Sequence, residues 1–388
     1  MAFFQTLVQH PRKLWIRRAL FQVHLWLGVL LSLYVAVIGL SGSVIVWEDE
    51  IDAHAYRHVR YDERHLAQPA QVMANAHAAY PNETVTYFMF PQADAPVYTV
   101  YLRDARNEKR IVRANASTGE LLPAANSSFV DWVHELHVYL LMGHTGFVIN
   151  CVAGIGIFVL ALTGIALWWP GLRLWMRGFY LSLHHNWKRI NYDAHSAIGV
   201  WTLLIVSMWG LTSIDFLWPT QTTAAVNAVL PIRGMQAPIA IKPARLGAPA
   251  SLQTIVDKAH SLSPTAFLSG VLFPIGKTGN IVTYMDTAAV GDYTHRDIHT
   301  FAADGTLLTT WHYGHNETLG DWILWLVNPL HFGTLWGTPV KVLWSILGLS
   351  LPALSITGLL MYWNRYLGKR WAKLSALPQR GCPRTVPQ

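Results

Sequence analysis

Cysteine and charged residues are both scarce in this 388-residue chain. Its two cysteines, Cys151 and Cys382, belong to no Cys-x-x-Cys-His motif, which excludes covalently attached c-type haem. Charged residues make up 13% of the chain and hydrophobic residues 52%, a balance that excludes an ordinary soluble protein. Nucleotide-binding signatures are also missing, because no Gly-x-Gly-x-x-Gly motif follows a predicted strand and there is no phosphate loop. The composition is typical of a membrane protein that carries soluble parts.

Four hydrophobic stretches are long enough to cross a bilayer, which takes about 20 residues each. Tryptophans such as Trp47 and Trp218 lie at their ends, where interfacial indoles are expected. The predicted transmembrane segments are 24–47, 147–169, 196–218 and 340–363.

The charges between these segments predict the orientation of the chain. Segments 1–23, 170–195 and 364–388 are basic, whereas the two long loops, 48–146 and 219–339, hold every acidic residue except Asp193 and Asp215. By the positive-inside rule the basic segments, and with them both termini, are cytoplasmic, and the long loops are periplasmic. The net charge of +7 reflects this topology and gives no reason to invoke nucleic acid.

The hydrophobic segments repeat within the chain, and a histidine repeats with each of them. An offset of 171 relates one pair of segments and an offset of 194 the other. The first offset carries His24, Gly28, Gly39 and Trp47 onto His195, Gly199, Gly210 and Trp218, and the second carries His137, Gly154, Thr163, Gly164 and Trp169 onto His331, Gly348, Thr357, Gly358 and Trp363. Parallel repeats of this kind are related by a pseudo-twofold axis along the membrane normal. We therefore predict that His24 faces His195 at the cytoplasmic edge and that His137 faces His331 at the periplasmic edge.

Two histidines that face each other across a twofold axis suit a haem iron, which accepts one imidazole on each face. A lone histidine in a membrane is more commonly a packing or proton-relay residue, but two repeat-related pairs favour two bis-His b-type haems. Ligation by two imidazoles leaves no open position, which favours electron transfer over oxygen binding. A symmetric zinc or copper site is not predicted, because the nearby acid Glu135 is matched by Pro329 in the other half.

Other histidines fail the repeat test for an axial ligand. His134 and His144 are matched by Asn328 and Thr338, so they are predicted only as possible contacts with a substrate. The aromatic run 311–315 supplies two more such residues. The substrate-side candidates are His134, His144, His312 and His315. The repeated glycines and Thr-Gly pairs are predicted to allow close helix contact.

Each long loop is predicted to fold as a small α+β domain. The first has a helix-like stretch followed by three alternating, strand-like runs, and the second repeats that order. The helices are predicted at 68–80 and 252–261, and the strands at 84–90, 97–103, 110–114, 266–273, 280–286 and 293–301.

The chain resembles the PepSY-associated transmembrane family of iron-regulated bacterial inner-membrane proteins. The stretches that carry the resemblance surround the four repeated histidines and the two Thr-Gly pairs, and the loop turns 117–122 and 303–308 resemble PepSY modules. The predicted fold is therefore a mainly α membrane protein, with four transmembrane helices as two parallel repeats and two small α+β PepSY-like periplasmic domains. The resemblance implies a multi-pass inner-membrane protein.

The same resemblance implies an activity, because the family includes four-helix, two-haem ferric-siderophore reductases. It implies two b-type haems held by His24, His195, His137 and His331, and reduction of a ferric siderophore in the periplasm with release of Fe(II). Electrons would come from outside the chain, from a cytoplasmic reductase or from quinol. Two alternatives stay open: a non-enzymatic PepSY scaffold that binds peptide, and a haem or siderophore transporter, for which four spans form a small conduit.

Overall fold

The computed structural model divides the chain into two compact units. The helical unit consists of residues 1–44, 134–218 and 336–388, and the sheet unit of residues 45–133 and 219–335. The residues that the structure describes are 15–92, 95–106, 108–123, 127–169, 175–238, 248, 250–273, 279–289 and 292–368. The first 14 residues, Cys382 and the rest of the basic tail beyond residue 368 lie outside them.

The described elements alternate between the two units along the chain. The helices are α1 (Trp15–Ile45), α2 (Glu48–Ala55), α3 (Pro69–Ala79), α4 (Ser127–Tyr139), α5 (Gly143–Trp168), α6 (Trp187–Leu217), α7 (Pro219–Val229), α8 (Leu252–Leu262), α9 (Leu319–Phe332) and α10 (Thr338–Tyr362). The strands are β1 (Thr84–Met89), β2 (Val97–Arg103), β3 (Lys109–Asn115), β4 (Phe267–Leu272), β5 (Ile281–Asp286), β6 (Arg296–Phe301) and β7 (Leu307–Tyr313).

Helices α1, α5, α6 and α10 are long and apolar enough to cross a membrane, which marks the chain as a membrane protein. Each overlaps one of the predicted segments. However, α1 begins at Trp15 and α6 at Trp187, each nine residues before the predicted segment. Arg, Leu and Ala are good helix formers, so the helix continues through a polar turn that hydropathy alone does not count. His24 and His195 consequently lie within helices rather than at their first turns.

Glycines allow close contacts between the long helices. A Cβ added to Gly39 of α1 would lie 2.6 Å from the carbonyl oxygen of Gly348 in α10, and one on Gly210 of α6 would lie 2.7 Å from the backbone nitrogen of Phe158 in α5. For these glycines the predicted close helix contact is confirmed. The same four helices enclose a cluster of buried apolar side chains made of Val35, Ile157, Val206 and Leu351.

The sheet unit contains one antiparallel sheet of seven described strands, in the order β3-β2-β1-β4-β5-β6-β7. Strands β1 and β4, from different loops, are hydrogen-bonded and place Phe88 opposite Val271. The prediction of two separate α+β domains is therefore wrong, because the strands of both loops share one sheet. Pairing satisfies the backbone N–H and C=O groups that each strand would otherwise expose at an edge. Strand β7 and helices α2 and α7 were not predicted.

Two apolar clusters pack on one face of this sheet. Helix α3 contributes Val72 and Ala76 to the first, which also contains Phe88, Tyr98, Val100 and Leu102. Helix α8 contributes Ile255 and Ala259 to the second, which also contains Val271, Met285 and Phe301. Burial of side chains of this size stabilises the sheet by about 1.5–3 kcal/mol each.

A buried carboxylate anchors α9, the helix that carries His331. Asp321 accepts hydrogen bonds from the backbone N–H groups of Arg233 (2.8 Å), Met235 (3.1 Å) and Thr318 (2.9 Å). The backbone N–H of Asp321 in turn donates to the hydroxyl oxygen of Thr318, which completes a capping box at the start of α9. Burial by itself raises the pKa of Asp321, but the backbone donors outweigh it and hold the pKa well below its usual range.

Candidate functional site: paired histidines in the helical unit

His24 of α1 and His195 of α6 lie side by side in the helical unit. Their ring centroids are 6.4 Å apart and their planes are perpendicular. The two residues are separated by 171 positions in the sequence, so only the packing of α1 and α6 in one bundle brings them together. The structure thus brings together the first of the two histidine pairs that the repeat singled out.

A threonine hydroxyl orients each of these imidazoles. The Nδ1 atom of His24 lies 2.9 Å from Oγ1 of Thr163, and Nδ1 of His195 lies 2.9 Å from Oγ1 of Thr357. Each hydroxyl donates its single hydrogen to a carbonyl one turn earlier, of Val159 or Ala353 respectively. Each Oγ1 can therefore only accept from the imidazole, which places the proton on Nδ1 and leaves the Nε2 lone pair free for a metal ion.

A glycine follows each threonine and makes room for the imidazole. A Cβ added to Gly164 would lie 3.4 Å from Cε1 of His24, and one added to Gly358 would lie 3.4 Å from Cε1 of His195. A larger side chain at either position would overlap the ring. The prediction that these two glycines serve close helix contact is thus incomplete, because their nearest neighbours are the histidines.

The same arrangement occurs a third time, at His137. Its Nδ1 atom lies 3.0 Å from Oγ of Ser41, whose hydroxyl donates to the carbonyl of Val37. A Cβ on Gly42 would lie 3.0 Å from Cε1 of His137. Burial, and to a smaller extent the imidazole of His134, lowers the pKa of His137 to about 4. The imidazole is therefore neutral at pH 7, as a metal ligand must be.

Two polar side chains hold the segment that carries His137 against the long helices. Asn150 of α5 donates from Nδ2 to the backbone carbonyl of His137 at 2.6 Å. Tyr34 of α1 in turn donates its hydroxyl to Oδ1 of Asn150 at 2.6 Å. Because buried polar groups need partners, this chain of hydrogen bonds defines the position of His137 relative to α1 and α5.

A cavity of about 780 Å³ adjoins His24 and His195. This volume lies within the range of cofactor and ligand pockets. Most of its lining residues come in repeat-related pairs, such as Gly28 with Gly199 and Leu160 with Leu354. Its walls are largely apolar, and at the inner end it reaches the buried cluster of Val35, Ile157, Val206 and Leu351.

The opposite end of the cavity is basic. Arg17, Arg18 and Arg365 line it, and no Asp or Glu does so among the described residues. Arg17 donates to the carbonyls of Ala166 and Trp169 at 3.0 Å each. Its guanidinium therefore satisfies the last turn of α5, where helix carbonyls lack partners.

The second predicted pair is divided between the units. His137 belongs to the helical unit, whereas His331 lies in the last turn of α9 in the sheet unit. Among the described residues, no group of three or more His, Cys, Asp and Glu side chains could hold a metal ion by themselves.

The substrate-side candidates are also divided between the units. His134 lies on α4, and His144 in the first turn of α5 stacks on Phe147 with ring centroids 6.2 Å apart. In the sheet unit, the ring centroids of His312 and His315 are 5.7 Å apart, and Nδ1 of His312 lies 2.5 Å from a carboxylate oxygen of Asp297. The structure brings His312 close to His315, and His134 lies one helical turn from His137.

Sequence reasoning missed the role of the hydroxyl groups. The signal was available, because Thr163 and Thr357 recur at the same offset as the histidines of the second pair. Their contacts, however, are with His24 and His195, which belong to the other offset. Only the packing of α1 on α5 and of α6 on α10 shows which histidine each threonine orients.

These features define a class: a membrane protein whose described part has four long apolar helices, with paired, oriented imidazoles beside a largely apolar cavity. The family model of the PepSY-associated TM region matches residues 21–365, and the chain belongs to this family. A search for similar curated proteins found no match.

Proposed function

We propose that the chain is a dihaem b-type oxidoreductase of the bacterial inner membrane that reduces a ferric siderophore in the periplasm and releases Fe(II). The observation that carries the proposal is the pair His24 and His195, oriented by matching hydroxyl contacts beside an apolar cavity. A haem bound there would supply one-electron chemistry, and the chain would supply its placement and electrostatic environment.

The residues around this pair fit a haem. Two imidazoles bound to one iron, each through a metal–nitrogen bond of about 2 Å, have ring centroids about 6 Å apart. The centroids of His24 and His195 are 6.4 Å apart, and the hydroxyl contacts that orient both rings are made through Nδ1, which keeps Nε2 for the iron. Glycines at 164 and 358 leave space around the rings, and the apolar walls suit a porphyrin.

The second haem is proposed on His137 and His331. Its support is the sequence repeat, together with the orientation of His137 by Ser41, which matches that of His24 by Thr163. The neutral form of His137 is the form that ligates iron. Two such centres at opposite edges of a hydrophobic layer about 30 Å thick would carry electrons across it one at a time.

The direction of electron flow follows from the proposed topology. A cytoplasmic reductase or quinol would supply an electron to the His24/His195 centre, and the His137/His331 centre would deliver it to Fe(III). The siderophore's hard oxygen donors hold Fe(III) much better than Fe(II), so one-electron reduction releases the metal. The siderophore is the substrate, and contacts with it are proposed at His134, His144, His312 and His315.

Two observations weigh against the alternatives. A transporter needs a path through the bundle, but the cavity ends at four buried apolar side chains, beyond which Gly39 and Gly348 bring α1 and α10 into contact. A peptide-binding scaffold does not require two partly buried imidazoles that are each held by a hydroxyl at Nδ1. The oriented pair therefore favours the oxidoreductase.

Haem stoichiometry tests the proposal most directly. The purified full-length chain should contain about two haems by pyridine haemochrome, and His24→Ala and His331→Ala should each remove one. His184→Ala, at an exposed position in the basic segment, is the matched control and should keep both. Absence of haem would favour the scaffold, and retention of both haems in His24→Ala or His331→Ala would refute the pairing.

The activity needs a separate measurement. Dithionite-reduced protein in detergent should be reoxidised by a ferric hydroxamate or ferric catecholate, with Fe(II) trapped by ferrozine in an amount that matches the electrons lost by the haems. Protein that holds two haems but transfers no electron to either chelate would leave the dihaem centre standing and reject the siderophore as acceptor.

A further inference from the structure

The basic end of the cavity is the feature that the paired histidines leave unexplained. We propose that Arg18 and Arg365 form a binding site for the two carboxylates of the haem beside His24 and His195, and so determine which edge of the porphyrin lies at the mouth of the cavity. This inference rests on the proposed function. It proposes that Arg18 and Arg365, which the histidine repeat does not identify, bind the two carboxylates of an otherwise apolar, planar ligand.

The charge of the lining supports a ligand that is anionic at one end. Among the described residues the cavity is lined by three arginines and by no acid. Arg17 is engaged with the carbonyls at the end of α5, so Arg18 and Arg365 supply the remaining charge. Uncompensated guanidinium groups beside an apolar cavity attract an anionic group more strongly than the same groups in bulk water.

The setting of Arg365 leaves its hydrogen-bond donors available. Its guanidinium lies over the ring of Phe21 at 4.7 Å and over Tyr366 at 5.5 Å from the ring centroids. Stacking uses the face of the planar guanidinium and leaves its N–H edge for a carboxylate, which it can bind with two parallel bonds. Phe21 itself lines the cavity three residues before His24, so this stacking holds Arg365 at the mouth.

Arg18 lies on the cavity-lining face of α1. It precedes Phe21 by three residues, a spacing that puts both side chains on one face of the helix. Arg18 is exposed, so its side chain can reach a carboxylate at the mouth without loss of a packing contact.

The repeat partner of Arg18 behaves differently. Arg189 pairs with Asp193 at 2.9 Å, stacks on Tyr192, and does not line the cavity. The imidazoles are therefore related by the pseudo-twofold axis, but the charges are not. Because a symmetric bis-imidazole site by itself leaves the rotation of the porphyrin undefined, the asymmetric arginines would define it.

The rate of haem loss tests the inference without an activity assay. Holoprotein in detergent is mixed with excess apomyoglobin, and haem transfer is followed by absorbance. One phase of haem loss should report the haem beside His24 and His195. Arg18→Gln and Arg365→Gln should each raise the rate of that phase by about threefold, and the double variant should raise it by about tenfold, the effect expected of exposed ion pairs. Lys188→Gln, a basic residue of α6 that does not line the cavity, is the matched control and should leave the rate unchanged.

Two further readouts distinguish carboxylate binding from a general loss of structure. Full-length chain produced under haem limitation should bind iron protoporphyrin dimethyl ester about tenfold more weakly than the dicarboxylate, and the double variant should bind both alike. The midpoint potential of this haem should fall in the double variant, because loss of positive charge stabilises the ferric state.

The outcomes separate this inference from the function it rests on. If wild-type protein holds two haems but the double variant loses them at the wild-type rate and does not change its preference for the dicarboxylate, the arginines are not the carboxylate site and the dihaem proposal is unaffected. If wild-type protein binds no haem at all, both proposals are rejected.

Discussion

The two units of this protein differ in how closely residues related by the sequence offsets make matching contacts. In the helical unit, repeat-related residues make repeat-related contacts: His24 with Thr163 and His195 with Thr357 both have an Nδ1–Oγ1 distance of 2.9 Å. In the sheet unit each half has a helix followed by strands, three described strands in the first and four in the second, and the side chains of the two halves differ. The two halves of the helical unit therefore match in a single atomic contact, whereas the two halves of the sheet unit match only in the order of helix and strands.

One rung of the sheet makes the contrast concrete. A rung is here the row of residues that are paired across all seven strands. In the first three strands it consists of Val112, Val100 and Phe88, and in the last four of Val271, Thr283, His299 and Thr310. The first half of the rung is apolar, whereas Thr283 and His299 in the second half are polar and almost fully buried. Nδ1 of His299 lies 3.0 Å from Oγ1 of Thr310, and its Nε2 lies 3.1 Å from Oγ of Ser263.

The difference shows what each unit requires of its residues. A sheet core needs its volume filled and its buried polar groups paired, and many sequences satisfy that requirement. An imidazole that is to bind a metal needs a defined tautomer and ring orientation, which few neighbours provide. Retention of the hydroxyl–imidazole–glycine arrangement in the helical unit is therefore the stronger sign of function.

Filling the space beside an imidazole should have the largest effect. Gly358→Leu should remove the haem proposed at His24 and His195, because its Cβ starts 3.4 Å from Cε1 of His195 and the remaining carbons have no room. Gly358→Ala should retain it, since 3.4 Å is a tolerable contact. Pyridine haemochrome measures both variants. Full haem content in the leucine variant would show that this glycine serves helix contact alone.

Loss of the buried carboxylate in the sheet unit should cost about 3 kcal/mol of unfolding free energy. Asp321→Asn places an amide NH₂ where an oxygen accepts two backbone N–H groups, so donors face donors. Because the folded pKa of Asp321 is lowered, its contribution is present at pH 7 and is lost as the pH falls below about 4.

Denaturation of wild type and Asp321→Asn at pH 7 and at acid pH checks this sign. The difference between the two proteins should shrink as the pH falls through the folded pKa of Asp321. Asp257→Asn, at an exposed position on α8, is the control and should change stability by less than about 0.5 kcal/mol. A difference that grows in acid would contradict the assignment.

Removal of an orienting hydroxyl should have a smaller effect, confined to the helical unit. Thr163→Val keeps the shape but leaves Nδ1–H of His24 without its acceptor, which should weaken haem binding by about tenfold. It should also raise the midpoint potential, because the imidazole becomes a poorer electron donor to iron. Thr163→Ser should restore both values. A change in binding with no change in potential would indicate a packing role only.

Exchange of a side chain between the halves of the sheet should have the smallest effect. His299→Val introduces the residue found at position 112 of the same rung and leaves the hydroxyls of Ser263 and Thr310 without their imidazole partner. The expected cost is about 1 kcal/mol, and adding Thr310→Val should recover part of it. Chemical denaturation measures both. A loss of unfolding free energy as large as that in Asp321→Asn would mean that the polar residues of this rung tolerate substitution as poorly as the paired histidines.

The elements of this protein that could be predicted are those that depend on a pattern of neighbouring residues. Hydropathy located the four long helices, and alternation located six of the seven described strands within a few residues. Strand β7 was missed because its Thr-Thr-Trp-His run does not alternate cleanly between polar and apolar residues. The starts of α1 and α6 were misplaced because helix propensity continues where hydropathy falls.

The joining of the two loops in one sheet was not predictable in the same way. Strands β1 and β4 pair across roughly 180 residues, as in Phe88 with Val271, and a strand's sequence does not reveal its distant partner. The cavity arginines were equally hidden. Arg18 and Arg365 come from opposite ends of the chain, and only helix packing puts both beside one cavity.

The sequence by itself determined that this is a membrane protein and which residues recur at offsets of 171 and 194, the four histidines among them, because composition and spacing are visible without the fold. The repeat also predicted that His24 faces His195, but the tertiary structure alone decided that hydroxyls of α5 and α10 orient these two rings and that β1 joins β4. Those contacts depend on distances between residues far apart in the chain, and a distance of a few ångströms is a property of packing.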